Sequence, residues 1–155
     1  MGLFAWLEST GIATWVREAD SVWAFPTVLT LHTFGLGILV GASAVIDLRL
    51  LGAGRSLTLP SLRPLFGLAW TGFWLNAVTG SLLFAADASA RASSPLFLVK
   101  LLLVAAGVAV TMLVQRAVLG RDATFDVPAN ARVLALISLV VWTAAITAGR
   151  LLAYV

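Results

Sequence analysis

Cysteine is absent from the 155 residues, and histidine occurs once, as His32. The first absence removes disulfides, thiolate metal sites, iron–sulfur ligation and cysteine nucleophiles together. Charge is scarce as well. Only 11% of residues are charged against 61% hydrophobic, more apolar surface than a soluble domain of this length can hide from water. Acids are fewest, seven against ten bases, and all but one of the bases are arginine, giving a formal net charge of +3. The arginines gather in two short segments, a pattern of membrane topology, so no nucleic-acid partner is expected.

What the chain does have is four long intervals nearly free of charge. A spanning helix needs about 20 apolar residues, and such spans are predicted at about 21–46, 64–86, 94–115 and 133–153. Asp20 and Asp47 close the first, which contains His32; the second carries Trp70, Trp74 and Asn76. Lys100 interrupts the third, and the fourth is uncharged until Arg150. The fold class expected is all-α: an integral membrane four-helix bundle, one domain over residues 1–155, with the lipid bilayer as its first partner. The segments Asp47 to Arg63 and Arg116 to Arg132 carry three arginines each. The positive-inside rule puts both in the cytoplasm, which predicts a multi-pass protein of a bacterial inner membrane with both termini on the periplasmic side. Trp15, Trp23 and Tyr154 then fall near the outer boundary.

The N-terminus lacks the basic region of a signal peptide, and Met1-Gly2 is not followed by a myristoylation pattern. Leu3, Phe4, Leu7, Gly11, Ile12 and Trp15 recur at helical spacing, so residues 2–17 read as an amphipathic interfacial helix. Glu8 sits on that apolar stripe and needs a partner. Whether the segment lies on the membrane or caps the bundle stays open; in the second case Glu8 is the natural counter-ion of Lys100 or Arg150.

A weak internal repeat accompanies these spans. Pro26 precedes His32 much as Pro95 precedes Lys100, and Thr79-Gly80-Ser81-Leu82-Leu83 aligns with Ala148-Gly149-Arg150-Leu151-Leu152. Spans one and two then correspond to three and four as parallel hairpins.

The polar residues within the spans carry whatever chemistry there is. His32 is placed ~3 Å from the midplane and Lys100 ~8 Å outward of it, by helical rise. A basic residue at a helix centre costs about 2.5–3.5 kcal/mol on the insertion scale, so Lys100 needs an explanation. Lys100, Val104, Gly107 and Thr111 share one helix face, as do His32 with Phe25, Val28, Gly35 and Leu39. Gly72, Asn76 and Gly80, and Ser138, Trp142, Ala145 and Gly149, give the other two spans an inward edge of small or polar residues. The bland readings stand beside the sharp one. His32 can tie helices together through Thr33, Asn76 or a backbone carbonyl; Lys100 and Arg150 can snorkel or pair with Glu8, Glu18 or Asp20; Asp47 and Arg49 can form an interfacial ion pair. A zinc or copper site is excluded, because the predicted spans supply one histidine and no acid. Heme needs only one strong axial ligand, an apolar slot and cations for its propionates.

The run Leu48-Arg49-Leu50-Leu51-Gly52 after a histidine-bearing helix, the segment Pro95 to Lys100 and the pair Gly149-Arg150 resemble a family of short four-helix bacterial inner-membrane proteins of unknown function. More distantly, His32 followed by Arg49, and Lys100 within Leu98-Val99-Lys100-Leu101-Leu102, resemble the copper-resistance D membrane domains and the HemJ-type protoporphyrinogen oxidases. That second resemblance implies heme b on His32, with Lys100 near a heme or porphyrin carboxylate. The chain departs from it where Met112 to Arg116 stand, for no second histidine follows. Bis-histidine ligation within one chain is therefore impossible.

The reading that follows is a buried polar site around His32, with Lys100, Arg150 and Asn76, binding heme b or a related redox ligand. His32 enters as a metal ligand only through heme iron, and Glu8, Asp47 and Arg49 are assigned to structural ion pairs. The alternative is a non-enzymatic accessory or scaffold subunit of a homodimer or larger membrane complex, its Trp-rich second span meeting the partner. A small-solute or proton pathway through His32 ranks behind both.

Overall fold

The computed structural model describes residues 2–19, 21, 23–119, 127–152 and 154. Asp20, named above as a partner for Lys100 or Arg150, and Arg121 of the second arginine-rich segment lie outside them. The described chain is all-α, and four of its helices are long and apolar enough to cross a membrane. The protein is a multi-pass membrane protein built as a four-helix bundle.

The N-terminal segment forms two helices rather than the single one expected, α1 (Leu3–Glu8) and α2 (Gly11–Glu18). Hydroxyls cause the break. Ser9 Oγ donates to the Trp6 carbonyl and Thr10 Oγ1 to the Leu7 carbonyl, both at 2.7 Å, closing α1, while Thr10 Oγ1 accepts the Ala13 N–H and opens α2. The two helices cap one end of the bundle: Val16 of α2 packs with Val28, Ala86, Leu82 and Leu83.

The first long helix, α3 (Phe25–Leu51), begins with Pro26 in its first turn, where the missing N–H is harmless. It does not stop at Asp47. It runs on to Gly52, whose φ of 115° lets the Gly52 N–H reach the Arg49 carbonyl and the Ala53 N–H reach the Leu48 carbonyl. The helix end is thus set by a glycine in the left-handed region, whereas a charge alone stops nothing. A 3-10 turn at Leu59–Leu62 plugs this end with two fully buried leucines and leads into α4 (Arg63–Ala86). The short α5 (Ala88–Ala92) turns the chain into α6 (Pro95–Leu119), and α7 (Ala129–Leu151) follows Pro128.

Helices α3 and α4 form one intimate hairpin, α6 and α7 a second, and α3 packs on α7 to join them. Gly35 and Gly72 let the first pair touch backbone to backbone: a Cβ on Gly35 would lie 2.7 Å from the Asn76 nitrogen, and one on Gly72 would lie 2.5 Å from the Leu39 nitrogen. In the second pair Trp142 lies flat on Gly107. Most of the inward edges expected from the sequence are buried, including Val28, Gly35, Leu39, Gly72, Gly107, Thr111, Ser138, Trp142 and Ala145, whereas Phe25, expected on the same edge as His32, is 47% exposed. Leu102 and Val140, 71% and 69% exposed, point away from the bundle, as lipid-facing residues should. Helices α4 and α6 meet through side chains. Phe84 stacks on Phe97 at 5.3 Å, and Trp70 Nε1 donates to Gln115 Oε1 at 2.9 Å.

Candidate functional site

Because α4 and α6 stand apart, a cavity of about 570 Å³ opens among the four long helices near the capped end. Phe25 and Leu29 of α3, Leu83 and Phe84 of α4 and Phe97 of α6 make its walls apolar. Into it come His32 from α3 and Lys100 from α6. Each rests on a glycine of the following helix. A Cβ at Gly80 would meet the His32 ring at 3.0 Å, and one at Gly149 would meet Lys100 Cε at 3.5 Å. The repeat seen in the sequence therefore has a structural counterpart, since each hairpin sets one polar side chain against one glycine. The longer α3 moves its midpoint to Ile38, which puts His32 ~9 Å from it by helical rise rather than the ~3 Å expected. Lys100 is ~10 Å from the α6 midpoint at Gly107, so the two residues share a depth.

His32 is held by α4. Its Nδ1 lies 3.1 Å from the Asn76 backbone carbonyl and 3.1 Å from Thr79 Oγ1. A carbonyl only accepts, so Nδ1 carries the proton and Nε2 keeps its lone pair. Asn76 Nδ2 donates to the His32 carbonyl at 2.9 Å and stands 3.4 Å from Nε2, a long contact. The imidazole is thus oriented with Nδ1 as the donor, the arrangement that a ligating histidine adopts. Of the partners expected from the sequence, Asn76 and a backbone carbonyl are present; Thr33 instead turns back to the Leu29 carbonyl.

Lys100 is half-buried, and among the described residues no acid approaches it within ion-pair distance. The other cations of the cavity, Arg17 and Arg91, have partners. Arg17 pairs with Glu18 at 2.8 Å and reaches the Ala86 carbonyl, while Arg91 pairs with Asp87 at 3.2 Å and reaches the Leu152 carbonyl. Neither arginine was expected here. They lie at helix ends, where a charge looks interfacial, and only the folding of α2 and α5 over the cavity gives them this position.

Other expected roles change. Arg150 does not line the cavity; its guanidinium lies over the Tyr154 ring at 5.7 Å. Asn76 clamps His32 and does not line the cavity either. Glu8 is no counter-ion of Lys100 or Arg150, because its carboxylate accepts the Ser89 N–H at 2.6 Å across the cap. That bond holds the Glu8 carboxyl below its ordinary pKa. Asp47 and Arg49 form no ion pair with each other: they project from nearly opposite sides of α3, and both are buried. Arg49 Nε donates to the Leu57 carbonyl at 2.7 Å. Because α3 continues to Leu51, an acid does lie within a spanning helix after all.

Compared with known proteins, the chain matches no family model, no curated protein and no solved structure. What the cavity binds has to follow from its own chemistry. For heme, the donor set offers one oriented imidazole with an available lone pair, one unpaired ammonium and apolar walls. These fit a heme with His32 as its single protein ring-nitrogen ligand, provided Asn76 yields its long contact with Nε2. They do not fit bis-histidine ligation.

Proposed function

We propose that the cavity at the capped end binds an amphipathic anion, with heme b as the ligand, and that this end faces the outer side of a bacterial inner membrane. The observation that supports the reading most is the unpaired Lys100 ammonium inside an apolar cleft. Leaving such a charge uncompensated is costly, and a carboxylate on the ligand relieves it. His32 Nε2 would hold the iron, its tautomer fixed through Nδ1 by the Asn76 carbonyl. Lys100 would meet a propionate, with Arg91 and Arg17 at the rim. Heme bound there supplies one-electron chemistry.

Visible spectra of the detergent-purified protein, oxidised and dithionite-reduced, test this. The expected result is a Soret band that shifts on reduction, is lost in His32→Ala and is weakened or shifted in Lys100→Ala. A flat spectrum from heme-replete cells would overturn heme. Copurification of a larger stoichiometric complex from native membranes, together with that flat spectrum, would assign the chain as an accessory subunit.

A further inference from the structure

At the other end of the bundle, α3, α6 and α7 enclose a second polar chamber, separate from the cavity just described. Asp47 and Ser43 of α3, Thr111 of α6 and Ser138 of α7 line it, with Ile46, Phe66 and Val114 closing it off. Its volume is about 10 Å³, room for about one water-sized occupant.

Each polar side chain there carries an oxygen that can serve as a ligand. Asp47 is 2% exposed, and its Oδ2 has no hydrogen-bond partner. Ser43 Oγ, on a side chain 4% exposed, has none either. Thr111 spends its proton on the Gly107 carbonyl at 2.8 Å, which leaves the oxygen lone pairs free. Ser138, 1% exposed, bonds the Asp47 carboxylate. No cation stands within ion-pair distance of Asp47 among the described residues; Arg49, on nearly the opposite side of α3, gives its Nε to the Leu57 carbonyl and keeps a buried Nη2 without a partner. Buried carboxyl groups in proteins are paired, coordinate metals or are neutralised by a proton, and this one has neither an ion-pair partner nor a group bridging its Oδ2.

We infer that the chamber formed by Asp47, Ser43, Thr111 and Ser138 is a binding site for a single sodium ion. One occupant then satisfies both needs, bridging the unpartnered oxygens and neutralising the carboxylate. The donors are all oxygen, which excludes metals that seek nitrogen or sulfur. With one carboxylate, a divalent ion would leave net positive charge in the apolar interior, and calcium needs six to eight oxygens. The ion ties α3, α6 and α7 together at the end of the bundle away from the cavity, so the site acts independently of the ligand proposed there.

Thermal unfolding of the purified protein in detergent tests the inference, with NaCl replaced by choline chloride at constant ionic strength. The melting midpoint rises with sodium and saturates, because binding to the folded state alone stabilises it. The same concentration of potassium, a larger ion, gives a smaller shift. Asp47→Asn abolishes the sodium response, and Ser138→Ala or Thr111→Val raises the half-saturating sodium concentration several-fold. Equal midpoints in sodium and choline for the wild type would overturn the site, as would a sodium response that survives Asp47→Asn. Should that variant fail to fold, a half-saturating concentration unchanged in both Ser138→Ala and Thr111→Val overturns it equally. A midpoint that follows pH but not sodium would assign the missing charge partner to a proton.

Discussion

The Glu8 carboxylate takes the Ser89 N–H at 2.6 Å, and that bond pins α1 to the turn between α4 and α6. Its pKa is lower in the folded protein than in the unfolded chain, so the unfolded state binds more protons as pH falls through the carboxylate range. The stability it contributes is present above the unfolded pKa and is lost as pH drops through the folded one. Glu8→Gln should therefore flatten the acid limb of a pH–melting curve. Glu18→Gln, which breaks only an exposed pair with its neighbour Arg17, should leave that limb almost unchanged. Equal effects would reduce Glu8 to an ordinary surface acid. His32 and Lys100 were legible in the sequence because an ionisable side chain within an apolar run is costly to leave against lipid, whereas a hydroxyl such as that of Thr33 can bond back to its own helix. Arg150 was misplaced by one residue: Gly149 takes the inward position, and a further ~100° of helix turns Arg150 toward Tyr154. Asp47 does not end its helix as its charge suggests, and the chamber that accommodates it exists only once three helices meet.

Among the elements, the α3–α4 hairpin rests on two glycines. A methyl group on Gly35 or Gly72 would run into backbone that cannot swing aside, so Gly35→Ala and Gly72→Ala should each destabilise by about 1–3 kcal/mol. Gly37 and Gly41 lie on the same helix with nothing within 4 Å of an added Cβ. Their alanine variants should be neutral or stabilising by up to ~1 kcal/mol through helix propensity. Denaturation of the four variants in mixed detergent separates the two classes. If all four behaved alike, close packing would not be what holds the hairpin. Because His32 hangs on Asn76 and Thr79 of α4, Gly72→Ala should also weaken whatever the cavity binds. The four long helices were readable from charge-free intervals, with α4 bounded to within one residue, but both ends of α3 and the C-terminal end of α6 were not. Helix ends depend on local bonds such as the Thr10 cap and the Gly52 turn, which composition does not show.

Across the whole molecule, two hairpins side by side put the cap, the turn at residues 87–94 and Tyr154 at one end and the segment from Gly52 to Leu62 at the other. The absence of cysteine makes this directly testable. Ser9→Cys and Ser93→Cys should react with an impermeant maleimide from the same side of the membrane, and Ser56→Cys only from the opposite side; labelling of Ser9→Cys and Ser56→Cys from one side would break the topology. The sequence alone determined that the chain lives in a membrane, that it crosses four times and, for most positions, which edge of each helix turns inward. Those are consequences of hydrophobic transfer and helical periodicity, both local along the chain. Only the tertiary structure decided that His32 and Lys100 share a cavity, that Arg17 and Arg91 rim it, and that Asp47 is enclosed with three hydroxyls. These groupings depend on which helices touch and how closely. The gap between α4 and α6 and the glycine contact between α3 and α4 are set by side-chain volumes meeting in three dimensions, a property no single helix carries.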